Sequence, residues 1–258
     1  MINNILKGLK VYSGTYAMIS KLKLWKYFII PIIISVAVFA LILILSWSLS
    51  YSLGEWMSSA WPFDLGQDFI TTVSVFIAGI VIFAIGLIFY KHIILALSAP
   101  FMSPVSEKIE SYYTGRPAIN QTNSSFATQL IRSIRINTRN LIKELLLTIP
   151  ILLLKFIPVV NIFSTVLLII LQAYYAGVSN MDYTLERHFK YRDSIAFIKK
   201  HRGLAIGNGI GFLLLLIIPV VGVILALPLS ITSASIITVD LLFDDDDSIG
   251  FEPFEKLN

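Results

Sequence analysis

Two apolar stretches of the chain share one interruption. Residues 145–176 read LLLTIPILLLKFIPVVNIFSTVLLIILQAYYA, and residues 212–239 read FLLLLIIPVVGVILALPLSITSASIITV. The interruption is IPVVN at 157–161 and IPVVG at 218–222. Proline removes a backbone donor and clashes with the preceding turn, so a helix bends or ends there. Asn and Gly readily adopt a positive φ. Each stretch is therefore predicted to be two apolar helices folded into a hairpin with the proline phrase at its tip.

The arms of these hairpins are short for a membrane crossing. A helix needs about 20 apolar residues to cross a hydrocarbon core of about 30 Å, whereas the first arms have 13 residues at 145–157 and 15 at 204–218. We predict that both hairpins penetrate halfway and leave on the side they entered. The alternative is two tilted helical pairs that cross fully. The longer second arms carry polar residues, namely Gln172 in the first hairpin and Ser230, Thr232, Ser233 and Ser235 in the second.

Composition places the chain in the membrane. Apolar residues make up 56% and charged residues 14%, against about a quarter charged in soluble domains. Uncharged runs at 28–53 and 69–90 are long enough to span a bilayer. The predicted fold is an all-α integral membrane protein with two long transmembrane helices, two half-penetrating hairpins and cytoplasmic amphipathic helices. Residues 1–243 are predicted to form one domain, followed by an acidic tail at 244–258.

The charge distribution predicts the topology. All 20 Lys and Arg lie outside the loop at 54–68, so the positive-inside tendency makes that loop external and both termini cytoplasmic. A single crossing by the first hairpin would place the basic segment 182–202 outside. Each hairpin is therefore expected to cross an even number of times or not at all.

Amphipathic segments are expected at the cytoplasmic surface. Residues 126–144 are predicted to form a helix with a narrow basic stripe, since side chains advance by about 100° per residue. That stripe would lie over anionic lipid headgroups or line an anion vestibule. Residues 182–202 are expected to form a second basic helix, and 1–20 an interfacial one. The stripe consists of Arg132, Arg135, Arg139 and Lys143.

No enzyme constellation is visible in the sequence. There is no nucleophile motif, paired-carboxylate arrangement or phosphate loop, and the chain has no cysteine and three histidines. We therefore expect no enzymatic activity, no metal site, no cofactor and no nucleic-acid partner. The glycine-rich segment GNGIG at 207–211 lacks a preceding strand, so it predicts close helix packing.

One candidate anion site precedes a predicted helix at 103–115. Ser103 followed by Pro104 is typical of a helix start, and Gly115 of a helix end. Helix N-termini bind anions through unpaired N–H groups, although an ordinary cap has the same sequence. Lys26, at the inner end of the first span, is expected nearby. The predicted substrate-binding residues are Lys26, Ser103, Val105, Ser106 and Glu107.

Lys155 lies three residues before the first hairpin's tip. In a full crossing its ammonium group would reach the outer surface. In a half-penetrating hairpin it would lie deep in the membrane and need water or a polar partner. Asn161 and Gln172 are the candidate partners, so these three form the predicted intramembrane polar set.

These features together resemble the CysZ family of bacterial membrane proteins, which shares a domain with the eukaryotic etoposide-induced 2.4 proteins. The resemblance covers roughly residues 9–240. It implies two long spans with two half-penetrating hairpins, an inner-membrane location, assembly into oligomers and a role in sulfate uptake for cysteine synthesis. The similar segments are KYFIIP at 26–31, APF at 99–101, Glu107, FIP at 156–158, MDY at 181–183 and IP at 218–219.

The resemblance also implies where sulfate would bind. In the family the proposed site combines an arginine pair before the first span with a Gly-Leu-Leu-Ala-Glu helix start. These align with 25–26 and 103–107, of which Lys26 and Glu107 fit; lysine offers a point charge where arginine offers a bidentate fork. The expected function is passive anion passage through an oligomer, with sulfate as the candidate ion. The alternative is a non-transporting protein that organises the membrane by binding anionic lipid or a partner.

Overall fold

The structure is a computed structural model that describes residues 1–63, 66–117, 125–155, 157, 160–218 and 221–243. These residues are helical with no strand among them, which confirms the all-α prediction. The acidic tail at 244–258 lies outside the described residues, and the single-domain prediction for 1–243 stays a prediction. The helices are α1 (Ile2–Lys10), α2 (Tyr12–Lys21), α3 (Trp25–Ser58), α4 (Gln67–Thr114), α5 (Phe126–Leu154), α6 (Val160–Leu185), α7 (Tyr191–Lys200), α8 (Arg202–Leu216) and α9 (Val221–Phe243).

Helices α3 and α4 contain the two predicted long spans and pack against each other. Phe39 contacts the Phe83 ring edge-on at 6.1 Å, and the hydroxyls of Ser35 and Tyr90 are 2.6 Å apart in a buried hydrogen bond. In the described residues four helices are long and apolar enough to cross a membrane: α3, α4, α6 and the 224–243 part of α9. The chain is therefore a multi-pass membrane protein by composition and helix length.

The first hairpin continues directly from the amphipathic helix. Helix α5 begins where Ser125 Oγ accepts the Thr128 N–H at 3.3 Å, and it runs through Pro150 to Leu154. Residues 126–144 and the predicted first arm are thus one helix. The tip residues Pro158 and Val159 lie outside the described residues.

The predicted single helix at 182–202 is wrong. Helix α6 extends to Leu185, a turn follows, and two separate helices, α7 and α8, occupy the rest. Arg132 in α5 contacts this turn, since its Nη1 donates to the Phe189 carbonyl at 2.9 Å. A carbonyl beyond the helix end is thereby satisfied without helix continuation.

The second hairpin is largely enclosed by protein. The apolar part of α9 is 78% buried. Helix α8 lies in close contact with α6 and α1. A Cβ added to Gly209 would overlap the Ala173 carbonyl, and a Cβ added to Gly207 would overlap the Ile5 carbonyl. The close packing predicted for GNGIG is confirmed. Residues 1–20 form two helices, α1 and α2, where one was predicted, and Gly8 of α1 packs against the α8 backbone. Their interfacial location stays a prediction. The tip residues 219–220 lie outside the described residues.

Candidate functional site: a buried arginine behind the predicted anion contact

The predicted helix start at Ser103 is wrong. Helix α4 is continuous from Gln67 to Thr114, with Pro100 and Pro104 inside it. A helical proline removes one backbone hydrogen bond, but this segment packs into the core on both sides of the prolines, which offsets the loss. The helix ends at Gly115 with φ of 66°, as predicted. Residues 103–107 are therefore mid-helix, where no N-terminal cluster of free N–H groups exists.

The predicted substrate-binding residues divide between the buried face of α4 and the exposed start of α3. Ser103, Val105 and Ser106 are buried, and Glu107 is half-buried. Lys26 is exposed at the start of α3. Its Nζ lies 5.1 Å from the centroid of the Tyr27 ring, and Lys108 Nζ lies 5.8 Å from the same ring. Both ammonium groups thus lie within 6 Å of the centroid of one Tyr27 ring, while the two serines face the protein interior.

Arg187 meets the serine face from the turn after α6, and sequence reasoning missed it. The residue is fully buried. Its Nη2 donates to Glu110 Oε2 at 2.6 Å, and its Nη1 donates to Ser106 Oγ and to the Tyr183 carbonyl. Within the described part of the chain, its Nε has no hydrogen-bond partner. His188 Nε2 lies 3.0 Å from the same Glu110 oxygen.

A second arginine, the half-buried Arg132, holds the neighbouring helices together. Arg132 donates from Nε and Nη2 to both Asp182 oxygens, at 3.1 and 2.9 Å, and from Nη2 to Ser194 Oγ at 2.6 Å. Arg132 therefore belongs to an internal ion pair and leaves the solvated stripe predicted for 126–144. Burial, followed by the nearby Asp182 charge, raises the pKa of Glu186 to about 8, against the lowering influence of Arg132 and Arg187.

A third buried charge cluster joins α4 to α5. Lys91 Nζ lies 2.6 Å from Glu144 Oε1, and His92 Nε2 lies 3.3 Å from Glu144 Oε2. Lys91 and His92 directly follow the uncharged run at 69–90, and ionisable groups at such positions mark functional or structural polar sites. The position of these two ionisable residues at the end of an uncharged run was the sequence signal that could have predicted this cluster.

Buried polar side chains occupy the interface between these clusters. Ser179 Oγ donates to Asn137 Oδ1 at 2.9 Å, and Asn140 Nδ2 donates to Ser179 Oγ at 3.0 Å. Lys91 and Glu110 are separated by about 28 Å along α4, at 1.5 Å per residue, close to the hydrocarbon thickness of about 30 Å. Buried polar side chains thus recur along the α4–α5–α6 interface between these two positions.

The intramembrane polar residues of the first hairpin are not joined to one another. Lys155 is half-buried at the C-cap of α5, Asn161 is exposed and Gln172 is half-buried. Among the described residues no hydrogen bond links these three side chains. The Asn161 carbonyl accepts from Ser164 at 2.8 Å. Their predicted role in the membrane stays a prediction.

Comparison with known proteins identifies the family. The family model described as "Sulfate transporter CysZ/Etoposide-induced protein 2.4" matches residues 13–226. The chain belongs to this family. The resemblance inferred from the sequence is confirmed.

Curated CysZ proteins are similar to part of the chain. Proteins named "Sulfate transporter CysZ" from Pseudomonas aeruginosa strains LESB58 and PAO1 are each 26% identical over 163 residues, covering 62% of this chain and 66% of the relative. The protein of that name from Pseudomonas paraeruginosa PA7 has the same identity and coverage. The chain thus spans 66%, just under two thirds, of the length of these relatives.

Proposed function

We propose that the protein mediates passive anion passage across the bacterial inner membrane, with sulfate as the candidate ion and both termini in the cytoplasm. The family match and the names of the relatives support an inorganic anion as substrate. The observation that carries the proposal is the arrangement around residues 103–108 of α4. One face presents Lys108 to the Tyr27 ring that Lys26 also approaches, and the other presents Ser106 to the buried Arg187.

The exposed lysine pair provides the first contact for an anion. Two ammonium groups around the Tyr27 ring create a local positive potential, which raises the local concentration of anions and their rate of arrival. The proposed substrate-binding set combines Lys26 with four residues of α4 that come shortly before Lys108. These are Ser103, Val105, Ser106 and Glu107. Serine hydroxyls donate hydrogen bonds that suit an oxyanion.

Exposed apolar surface supports the half-penetrating architecture for the first hairpin. Leu153 is 64% exposed and Phe163 72% exposed, as lipid-facing residues would be. The exposed apolar portion of the first arm, 145–154, is about 15 Å long at 1.5 Å per residue, shorter than the about 30 Å of a hydrocarbon core, whereas α6 is long enough to cross one. A hairpin with one arm this short does not cross the bilayer with both arms. We therefore keep α3 and α4 as the full crossings and propose that the ion path is completed in a homo-oligomer.

Sulfate flux through purified full-length protein in liposomes tests this function. We expect isotope uptake by the parent protein and loss of uptake in Lys26→Glu, because the substitution reverses the charge at the entrance. Lys199→Glu, an equal charge change at an exposed residue of α7, should leave uptake unchanged. No flux in the parent, or unchanged flux in Lys26→Glu, would count against the proposal.

A second candidate function has one specific observation in its favour. Exposed basic residues lie beside the apolar first hairpin, with the Arg135 guanidinium 4.6 Å from the centroid of the Tyr191 ring. Such a surface suits anionic lipid headgroups, and a hairpin inserted into one leaflet would organise the membrane. Liposome binding that falls with salt, without any sulfate flux, would favour this alternative.

A further inference from the structure

We propose that Arg187 is the residue that coordinates the transported oxyanion and that the Glu110 carboxylate occupies the anion's place in this structure. The inference rests on the proposed anion transport and names the contact at its centre. A tetrahedral oxyanion such as sulfate would exchange with Glu110 on the Arg187 guanidinium.

Donors converge on Glu110 as they would on an oxyanion. Its Oε2 accepts from Arg187 Nη2 at 2.6 Å and lies 3.0 Å from His188 Nε2. The adjacent Nη1 donates to Ser106 Oγ, so a hydroxyl from the predicted set lies beside the pair. A planar guanidinium matches both carboxylate and tetrahedral oxyanion geometry, which a lysine ammonium does not. Arg187 thus supplies the fork that is missing at Lys26.

Arg187 has donor capacity that Glu110 does not use. Its Nε is buried and makes no hydrogen bond within the described residues. Leaving a buried donor without an acceptor costs free energy, about 1–3 kcal/mol in typical cases. Sulfate has four oxygens where a carboxylate has two, so it can also satisfy this N–H. The guanidinium nitrogens of Arg132 are all used by comparison, because they already donate hydrogen bonds to Asp182, Phe189 and Ser194.

Removing the Glu110 charge should reveal the exchange, because Arg187 would then need another anion. The Arg187 and Glu110 side chains are each 1% exposed, and a buried charge that loses its counter-charge is strongly unfavourable. Neutralising Glu110 while keeping its shape therefore leaves a buried cation that requires an anion. External sulfate should then bind at Arg187 and stabilise the fold by mass action.

The test is thermal unfolding of the full-length protein in detergent, titrated with sodium sulfate against sodium chloride at equal ionic strength. We expect Glu110→Gln to reach half of its sulfate-specific stabilisation at about tenfold lower sulfate than the parent. The double variant E110Q/R187Q should show no such stabilisation. The control Glu144→Gln, which uncovers the buried Lys91 instead, should respond to sulfate as the parent does.

Equal sulfate responses in E110Q and E110Q/R187Q, or the same gain in E144Q, would overturn the proposal. If E110Q does not fold, Arg187→Lys provides the test, since it keeps the positive charge and removes the planar fork. We expect its sulfate-specific stabilisation to need about tenfold more sulfate than the parent, and an unchanged requirement would overturn the proposal. Binding is measured here without flux. Sulfate binding through Arg187 in a protein that shows no flux would therefore contradict transport alone.

Discussion

Lys91 in α4 and Glu144 in α5 form a buried ion pair, with Nζ and Oε1 2.6 Å apart and both side chains at most 4% exposed. The pair lies where the uncharged run of α4 ends and where the first arm of the first hairpin begins. It therefore attaches the hairpin to a long membrane helix at one fixed level. Its partner His92 contacts the second carboxylate oxygen at 3.3 Å.

Lys91→Met should destabilise the protein by about 3–5 kcal/mol, because the Glu144 charge would remain buried without its partner. Unfolding in detergent by increasing denaturant measures the effect. K91M/E144Q should recover most of the lost stability, since neither charge is then left alone. A single variant as stable as the parent, or a double variant no more stable than K91M, would contradict this account.

Gly209→Ala should weaken the contact between α8 and α6, because the added methyl group would overlap the backbone carbonyl of Ala173. The expected cost is about 1–3 kcal/mol, typical of overpacking, and the same unfolding measurement checks it. Gly79→Ala is the matched control, since its nearest neighbour would be Ser50 Cβ at an ordinary 3.4 Å. Equal stabilities of the two variants would refute the close approach at Gly209.

Stability should fall as pH rises from about 5 to 9 through the titration of Glu186. Its pKa is raised from an ordinary 4.5 to about 8, first by burial and then by Asp182, against Arg132 and Arg187. Between these values the folded protein holds a proton that the unfolded chain has released, so raising the pH favours unfolding. The loss is complete above the folded pKa. Glu186→Gln should have a smaller fall in melting temperature over this range, and an identical pH profile would exclude Glu186 as the cause.

Features with local causes could be predicted from the sequence. Helix α5 begins at Phe126 because Ser125 caps it, and α4 ends at Gly115 because glycine accepts the positive φ. Uncharged runs predicted α3 and the first part of α4, because a membrane helix needs continuous apolar length. The GNGIG segment predicted helix contact because a missing Cβ permits close approach.

Structural features that depend on contacts between residues far apart in the chain could not be predicted from the sequence. Ser103-Pro104 has the local signature of a helix start, but burial on both sides of the prolines keeps α4 intact. Arg187 is one of several basic residues in 182–202, and its burial depends on Glu110, 77 positions earlier in the chain. The turn after α6 similarly contacts Arg132, which lies 57 positions before Phe189 in the chain. Sequence patterning shows the charge of these residues and not their partners.

The half-penetrating first hairpin is the claim on which the architecture depends, and thiol labelling at Lys155 tests it most directly. The chain has no native cysteine, so Lys155→Cys can be probed in closed cells with a membrane-impermeant reagent. Trp61→Cys, in the loop predicted to be external, and Lys199→Cys, in the segment predicted to be cytoplasmic, are the positive and negative controls. The account predicts labelling of Trp61→Cys alone; labelling of Lys155→Cys at the rate of Trp61→Cys would show that the hairpin crosses the membrane and would contradict it.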